Sequence, residues 1–139
     1  MTEEVMPGLF RMEIPLPNSP LKAVNSYVIR HPDRNLIIDT GMNREECMSA
    51  FKAGLQELDI DLGKTDFFIT HMHADHAGLV SALASETARV YCSLPDSGMI
   101  SPDFRRADDW LKVMAGFAMA CGFPESVLHD AMARHPGLR

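Results

Sequence analysis

Apolar and polar positions alternate over Leu9-Phe10-Arg11-Met12-Glu13-Ile14, the two-residue period of a strand with one buried face. Pro15 to Pro20 holds three prolines and an Asn-Ser pair, which predicts a loop. Val24–Arg30 and Leu36–Asp39 read as a second and a third strand, joined by the turn His31-Pro32-Asp33-Arg34-Asn35. So short a connection makes the three an antiparallel meander. Asn43 with Glu46 three residues on has the form of a capping box. Met48, Phe51, Leu55 and Leu58 then recur at helical spacing, so this helix lays an apolar face on the sheet. Asp59–Lys64 is a polar loop, and the apolar run Asp66-Phe67-Phe68-Ile69 behind it reads as a buried strand. From Asp75 onward Ala77, Leu79, Val80, Ala82, Leu83 and Ala84 predict one helix, and Arg89–Cys92 a short strand. Strands alternating with helices define an α/β layer.

From Pro95 the texture changes, which sets a boundary between residues 1–94 and 95–139. Pro95-Asp96-Ser97-Gly98 and Ser101-Pro102-Asp103 are turn-rich. Two helices follow, one striped by Trp110, Met114, Phe117 and Cys121, the next by Val127, Leu128, Ala131 and Met132. Gly122-Phe123-Pro124 separates them, so a helical hairpin results. Three uses are open to it: lining a substrate pocket, capping the sheet, or building a dimer contact.

The 46% hydrophobic and 23% charged residues among 139 describe a globular chain with a sizeable core. A net charge of -6 argues against a general nucleic-acid or anionic-membrane binder. Three scattered cysteines, Cys47, Cys92 and Cys121, make no disulfide framework; they suit a reducing cytoplasm and read as small packed hydrophobes. Met1-Thr2-Glu3-Glu4 has no apolar run behind it, so no signal peptide is expected, and no stretch approaches membrane-spanning length.

Chemistry concentrates in Thr70-His71-Met72-His73-Ala74-Asp75-His76-Ala77-Gly78, at the exit of the Asp66–Ile69 strand. A lone histidine is usually structural, but three with an aspartate inside six residues would need many partners if they were only packed. His71 and His73, one residue apart in extended backbone, point the same way and suit one ion. Asp75 and His76, adjacent at a first helical turn, suit a second ion beside it. Imidazole and carboxylate favour a borderline cation, zinc first, with iron or manganese as alternatives.

The H-x-H-x-D-H pattern after an apolar strand resembles the metallo-β-lactamase superfamily of metal-dependent hydrolases. Upstream, Leu36-Ile37-Ile38-Asp39-Thr40-Gly41 is similar to that family's strand ending in Asp-x-Gly, and Asn25-Ser26-Tyr27-Val28-Ile29 fits its glyoxalase II-type branch. The match runs from Pro7 to Tyr91 with both motifs in order. It implies the first half of an αββα sandwich: a mixed sheet with flanking helices, here followed by the C-terminal hairpin. It implies metal ligands His71, His73, Asp75 and His76 around two zinc ions, with Asp75 orienting the attacking water. Asp39 is expected beneath the loop, either accepting turn amides or holding a ligand histidine by its second nitrogen. Gly41 suits unusual dihedrals. The implied reaction is hydrolysis of an ester, thioester, lactone or amide in a small-molecule substrate. The family's later ligands have no counterpart here; His129 and His135 fall in or at the end of the last helix. The chain therefore reads as a fragment whose site is incomplete alone. Two alternatives keep the fold: an iron-binding relative that handles oxygen or sulfur species, and a catalytically incomplete half-domain that self-associates as a homodimer.

Overall fold

The computed structural model describes residues 2–100 and 105–134. Its first element has no apolar run to announce it: β1 (Thr2–Met6), a mostly exposed edge strand, pairs antiparallel with β2 (Leu9–Pro15). The expected meander then follows, with β3 (Ala23–Ile29) antiparallel to both β2 and β4 (Asn35–Ile38). Beyond it β5 (Thr65–Phe68) pairs parallel with β4, and β6 (Val90–Tyr91) parallel with β5. The result is a mixed six-stranded sheet in chain order. Parallel neighbours need crossovers. One is made by α1 (Glu45–Glu57), the other by α2 (Ala74–Ala77) and α3 (Val80–Leu83).

Residues in register share a sheet face. Phe10 stands opposite Val28, Val28 opposite Ile37 and Ile37 opposite Phe67, and all four are buried. With Met12 and Ile14 they form the core under α1, which packs on β2 and buries Cys47, Phe51 and Leu55. The opposite face carries a second apolar line, Tyr27, Ile38, Phe68 and Tyr91, flanked by Leu9, Ile29 and Leu36. There Ile29, Phe68 and Tyr91 remain 41%, 42% and 45% exposed.

Three expectations change. The helix after Gly41 begins at Glu45, with Arg44 at its cap and no side-chain cap bond. Asn43 cannot cap it because the chain turns once more, with the Arg44 N–H donating to the Met42 carbonyl. Its first turn instead places Glu45 and Glu46 against the positive end of the helix dipole. The single helix expected from Asp75 is broken into α2 and α3, because the Leu79 N–H turns aside to the Gly41 carbonyl. And Pro95–Gly98, expected as turns, lies within α4 (Leu94–Ile100); proline is tolerated in a first turn, where its missing N–H has no intrahelical partner, and Asp96 favours that end.

The chain forms two compact units, Met1–Ser93 and Leu94–Arg139. In the second, α4 and α6 (Glu125–Arg134) each pack on α5 (Arg105–Ala120). Gly122, at φ +89°, makes the turn between α5 and α6. The stripe expected to be covered is not: Met114, Phe117 and Cys121 are exposed, while the smaller Ala115 and Ala118 are half-buried. The small-hydrophobe reading of the cysteines therefore holds for buried Cys47 and not for Cys121. Ser101-Pro102-Asp103, His135 and the side chains of Trp110 and Met132 lie outside the described residues. Among the described residues no helix is long and apolar enough to cross a membrane.

At the far end of the parallel strands, Asp66 ties the first unit together. Its Oδ1 accepts from Arg34 Nε at 2.8 Å and from the Arg89 backbone N–H at 2.9 Å, and Arg34 also donates to the Thr87 carbonyl. Burial pushes the Asp66 carboxyl up; the Arg89 N–H and the Arg34 guanidinium outweigh it and hold the group below its ordinary value. A depressed carboxylate stabilises the fold above its unfolded pKa, and that contribution is lost as pH falls through the folded one. The urea midpoint should therefore drop on acidification below about pH 4, and Asp66→Asn should flatten that slope. An unchanged acid slope in Asp66→Asn would remove Asp66 from the account.

Candidate metal centre

The parallel pairing of β4 with β5 brings two loops together at the carboxyl ends of these strands, where open α/β sheets place ligands. Ile38 is in register with Phe68, and the Asp39 N–H donates to the Phe68 carbonyl at 2.9 Å. Asp39 and Thr70 thus leave adjacent strands side by side. Asp39 adopts φ +58°, a left-handed conformation that aspartate tolerates better than most residues. Gly41 follows at φ +141°, and a side chain there would meet Ile14 Cγ2 at 2.9 Å. The expectation of unusual dihedrals at Gly41 is met, and close packing on the core adds a second reason for glycine.

The turn aims the Asp39 carboxylate at the histidine loop. Oδ1 accepts the Thr70 N–H at 2.8 Å, Oδ2 accepts the Thr70 hydroxyl at 2.7 Å, and Oδ2 also lies 2.7 Å from His76 Nδ1. The carboxylate thus takes an amide of the histidine loop, not of its own turn, and a histidine ring nitrogen at once. Below it, the Ser26 hydroxyl donates to the Asp39 carbonyl at 2.7 Å. The His76 carbonyl accepts from the Thr40 N–H at 2.7 Å and the Thr40 hydroxyl at 2.8 Å. Among the described residues no buried side-chain nitrogen or oxygen lacks a partner, so this scaffold is self-sufficient. Ser26, Thr40 and Thr70 had no role assigned from sequence; a buried serine in an apolar strand and the residues bordering the two motifs were the available signals.

On that scaffold the three imidazoles converge. His71 sits between the others, with ring centroids 4.1 Å from His76 and 4.6 Å from His73, the latter edge-on. His71 Nδ1 lies 3.0 Å from the Thr70 hydroxyl oxygen. Asp75 Oδ2 lies 3.6 Å from His76 Nε2, and both side chains are about three-quarters buried. Two donors on one tetrahedral zinc ion stand about 3.4 Å apart, close to the separation of Asp75 and His76. Closure is a separate matter. Among the described residues no three His, Cys, Asp or Glu side chains are arranged to hold an ion together. His129, the later histidine that is described, lies in α6 of the other unit. The donor chemistry fits a divalent metal, and the set is partial.

A mixed α/β sheet with histidines and an aspartate gathered at a strand-to-helix exit defines an α/β protein with a candidate metal loop. The chain belongs to the metallo-beta-lactamase superfamily, whose family model matches residues 20–130. It is similar to the atrochrysone carboxyl ACP thioesterase of Emericella nidulans, at 33% identity over 81 residues, 58% of this chain and 25% of that protein. A metallo-beta-lactamase family protein from Thermus thermophilus superposes with TM-score 0.52 at 29% identity, covering 58% of this chain and 28% of that one. A beta-lactamase domain protein from Burkholderia ambifaria shares the fold at TM-score 0.59 and 22% identity, covering 71% and 34%. The chain thus spans a quarter to a third of the length of these relatives. The superfamily includes hydrolases, and its members bind metal ions, typically zinc.

Proposed function

We propose that this chain carries the ligand loop of a metal-dependent hydrolase, with His71 and His73 serving one divalent ion and Asp75 and His76 a second. The observation that carries this reading is the convergence of three imidazoles on a loop whose last histidine is tied to a buried carboxylate. A bound divalent ion supplies Lewis acidity there and lowers the pKa of its water from about 16 to near 7. The protein's own part is orientation. Asp39 fixes the His76 ring, and Asp75 accepts a hydrogen bond from the attacking water and aims it at the carbonyl. The substrate is a small molecule with an ester, thioester, lactone or amide bond. Thioesters rank first, because the 33%-identical relative is a thioesterase. The remaining metal ligands come from outside the described residues.

The test is elemental analysis of the full-length protein with hydrolysis assays on acyl thioesters and simple esters. Stoichiometric zinc is expected, with activity abolished by a chelator and lost at least a hundredfold in His73→Ala. Activity that survives both would overturn the reading. Iron with a visible absorbance and no hydrolysis would instead place the chain with relatives that handle oxygen or sulfur species.

The uncovered apolar line through Ile29, Phe68 and Tyr91, with the partial donor set, favours one second reading: a catalytically incomplete half-domain that pairs with a second copy. Metal-free protein that elutes as a dimer in size-exclusion chromatography would decide for it.

A further inference from the structure

We infer that Thr70 is a positioning residue: its hydroxyl relays the Asp39 carboxylate to His71, so that one carboxylate sets the tautomer of two histidines. Protons can be counted around the hydroxyl. A carboxylate is acceptor-only, and a threonine hydroxyl has one proton to give and lone pairs to receive with. Asp39 Oδ2 and Thr70 Oγ1 stand 2.7 Å apart. If the hydroxyl proton pointed at His71, two acceptors would face each other at that distance, next to the mostly buried Asp39. The proton therefore lies between Thr70 and Asp39. Thr70 Oγ1 is left as an acceptor, and its other neighbour is His71 Nδ1 at 3.0 Å. That nitrogen must be the one that carries hydrogen.

His76 Nδ1, 2.7 Å from the same Oδ2, is protonated for the same reason. Both rings consequently present the Nε2 lone pair, His76 by direct contact and His71 through the hydroxyl. Which nitrogen of a histidine can bind a metal is set by the hydrogen bond at the other. The Thr70 N–H adds a third anchor, since it donates to Asp39 Oδ1 at 2.8 Å. This anchor is a backbone bond that survives substitution of the side chain, which separates the relay from the shape of the loop.

The consequence for metal affinity rests on the proposed metal-dependent function; the tautomer itself does not. The experiment uses nitrogen-15 imidazole NMR on the metal-free protein at a pH where the rings are neutral, then zinc titration against a chromophoric chelator. Wild type and Thr70→Ser should show His71 and His76 both protonated at Nδ1. Thr70→Val, close in shape but without the hydroxyl, should move His71 toward the Nε2-protonated form and leave His76 unchanged, the latter reporting an intact loop. Zinc affinity should fall about ten- to a hundredfold in Thr70→Val and stay near wild type in Thr70→Ser. Should Thr70→Val shift His76 as well, Thr70→Ser decides: a wild-type His71 tautomer there supports the relay, and a lost one overturns it. His71 protonated at Nε2 in the wild type overturns the relay. A shifted His71 tautomer with no zinc binding in any form keeps the relay and sinks the metal reading instead.

Discussion

Replacing Asp39 by alanine will lower the unfolding free energy by about 3 kcal/mol and weaken metal binding about ten- to a hundredfold. The size of the effect follows from how many groups converge on one carboxylate. The Thr70 N–H, the Thr70 hydroxyl and His76 Nδ1 all donate to it, at a side chain only 9% exposed. Each donor left without a partner in such a place costs about 1–3 kcal/mol, reduced where water can enter. Alanine adds a backbone term, because φ +58° at this position disfavours it by roughly 1 kcal/mol. Asp39→Asn should be milder in stability, since asparagine tolerates that backbone and can still accept the Thr70 N–H. It should lose metal affinity nonetheless, because with its oxygen on the Thr70 N–H its NH2 group faces the Thr70 hydroxyl and His76 Nδ1 and can accept from neither. Urea denaturation with zinc titration measures both quantities. An Asp39→Ala protein with wild-type midpoint and wild-type affinity would show that the carboxylate supports nothing.

Gly78→Ala should be as damaging, for a reason of space. Gly78 has ordinary helical dihedrals, so the left-handed argument for glycine does not apply. A Cβ there would come within 2.8 Å of both the Asn43 backbone nitrogen and the Gly41 carbonyl oxygen, and closer still to the Ala74 carbonyl. Real carbon contacts do not reach such distances, and all three obstacles are backbone. The Asp39–Asn43 turn and the α2 turn would have to separate. That would strain the bonds from Leu79 N–H to the Gly41 carbonyl and from Thr40 N–H to the His76 carbonyl. Overpacking of this kind costs about 3 kcal/mol, and the displacement reaches His76 directly. Unfolding curves should show the loss in midpoint, and His76 should lose its Asp39-bonded imidazole signal. A Gly78→Ala protein as stable as the wild type would mean that the two turns can part at little cost.

Much of the sheet could be read along the chain because its signals are local. Alternation at Leu9–Ile14 and the apolar runs at Leu36–Ile38 and Asp66–Ile69 mark strands whatever else the chain does. The short turn at His31–Asn35 dictates antiparallel pairing, and the crossover through α1 dictates parallel pairing. Two of the failures trace to a distant partner. β1 forms because β2 offers a free edge, although Thr2–Met6 has little apolar signal of its own. The continuous helix after Asp75 fails where the Gly41 carbonyl draws the Leu79 N–H out of the helix, while the capping box at Asn43–Glu46 fails at a local turn, where the Arg44 N–H donates to the Met42 carbonyl. Propensity cannot register a hydrogen bond made between residues so far apart in the chain.

The site divides along the same line. The order of residues grouped the candidate metal ligands, because His71, His73, Asp75 and His76 are neighbours in the chain and a strand exit keeps them together. It also set Asp39 at the end of another strand. Only tertiary structure decided that β4 and β5 lie side by side, so that Asp39 reaches His76 and, through Thr70, His71. It likewise decided that His71 lies closer to His76 than to His73, although the two-residue spacing favoured the latter pair. Local sequence sets composition and direction over a few residues; orientation and proton placement depend on groups that meet when the sheet closes.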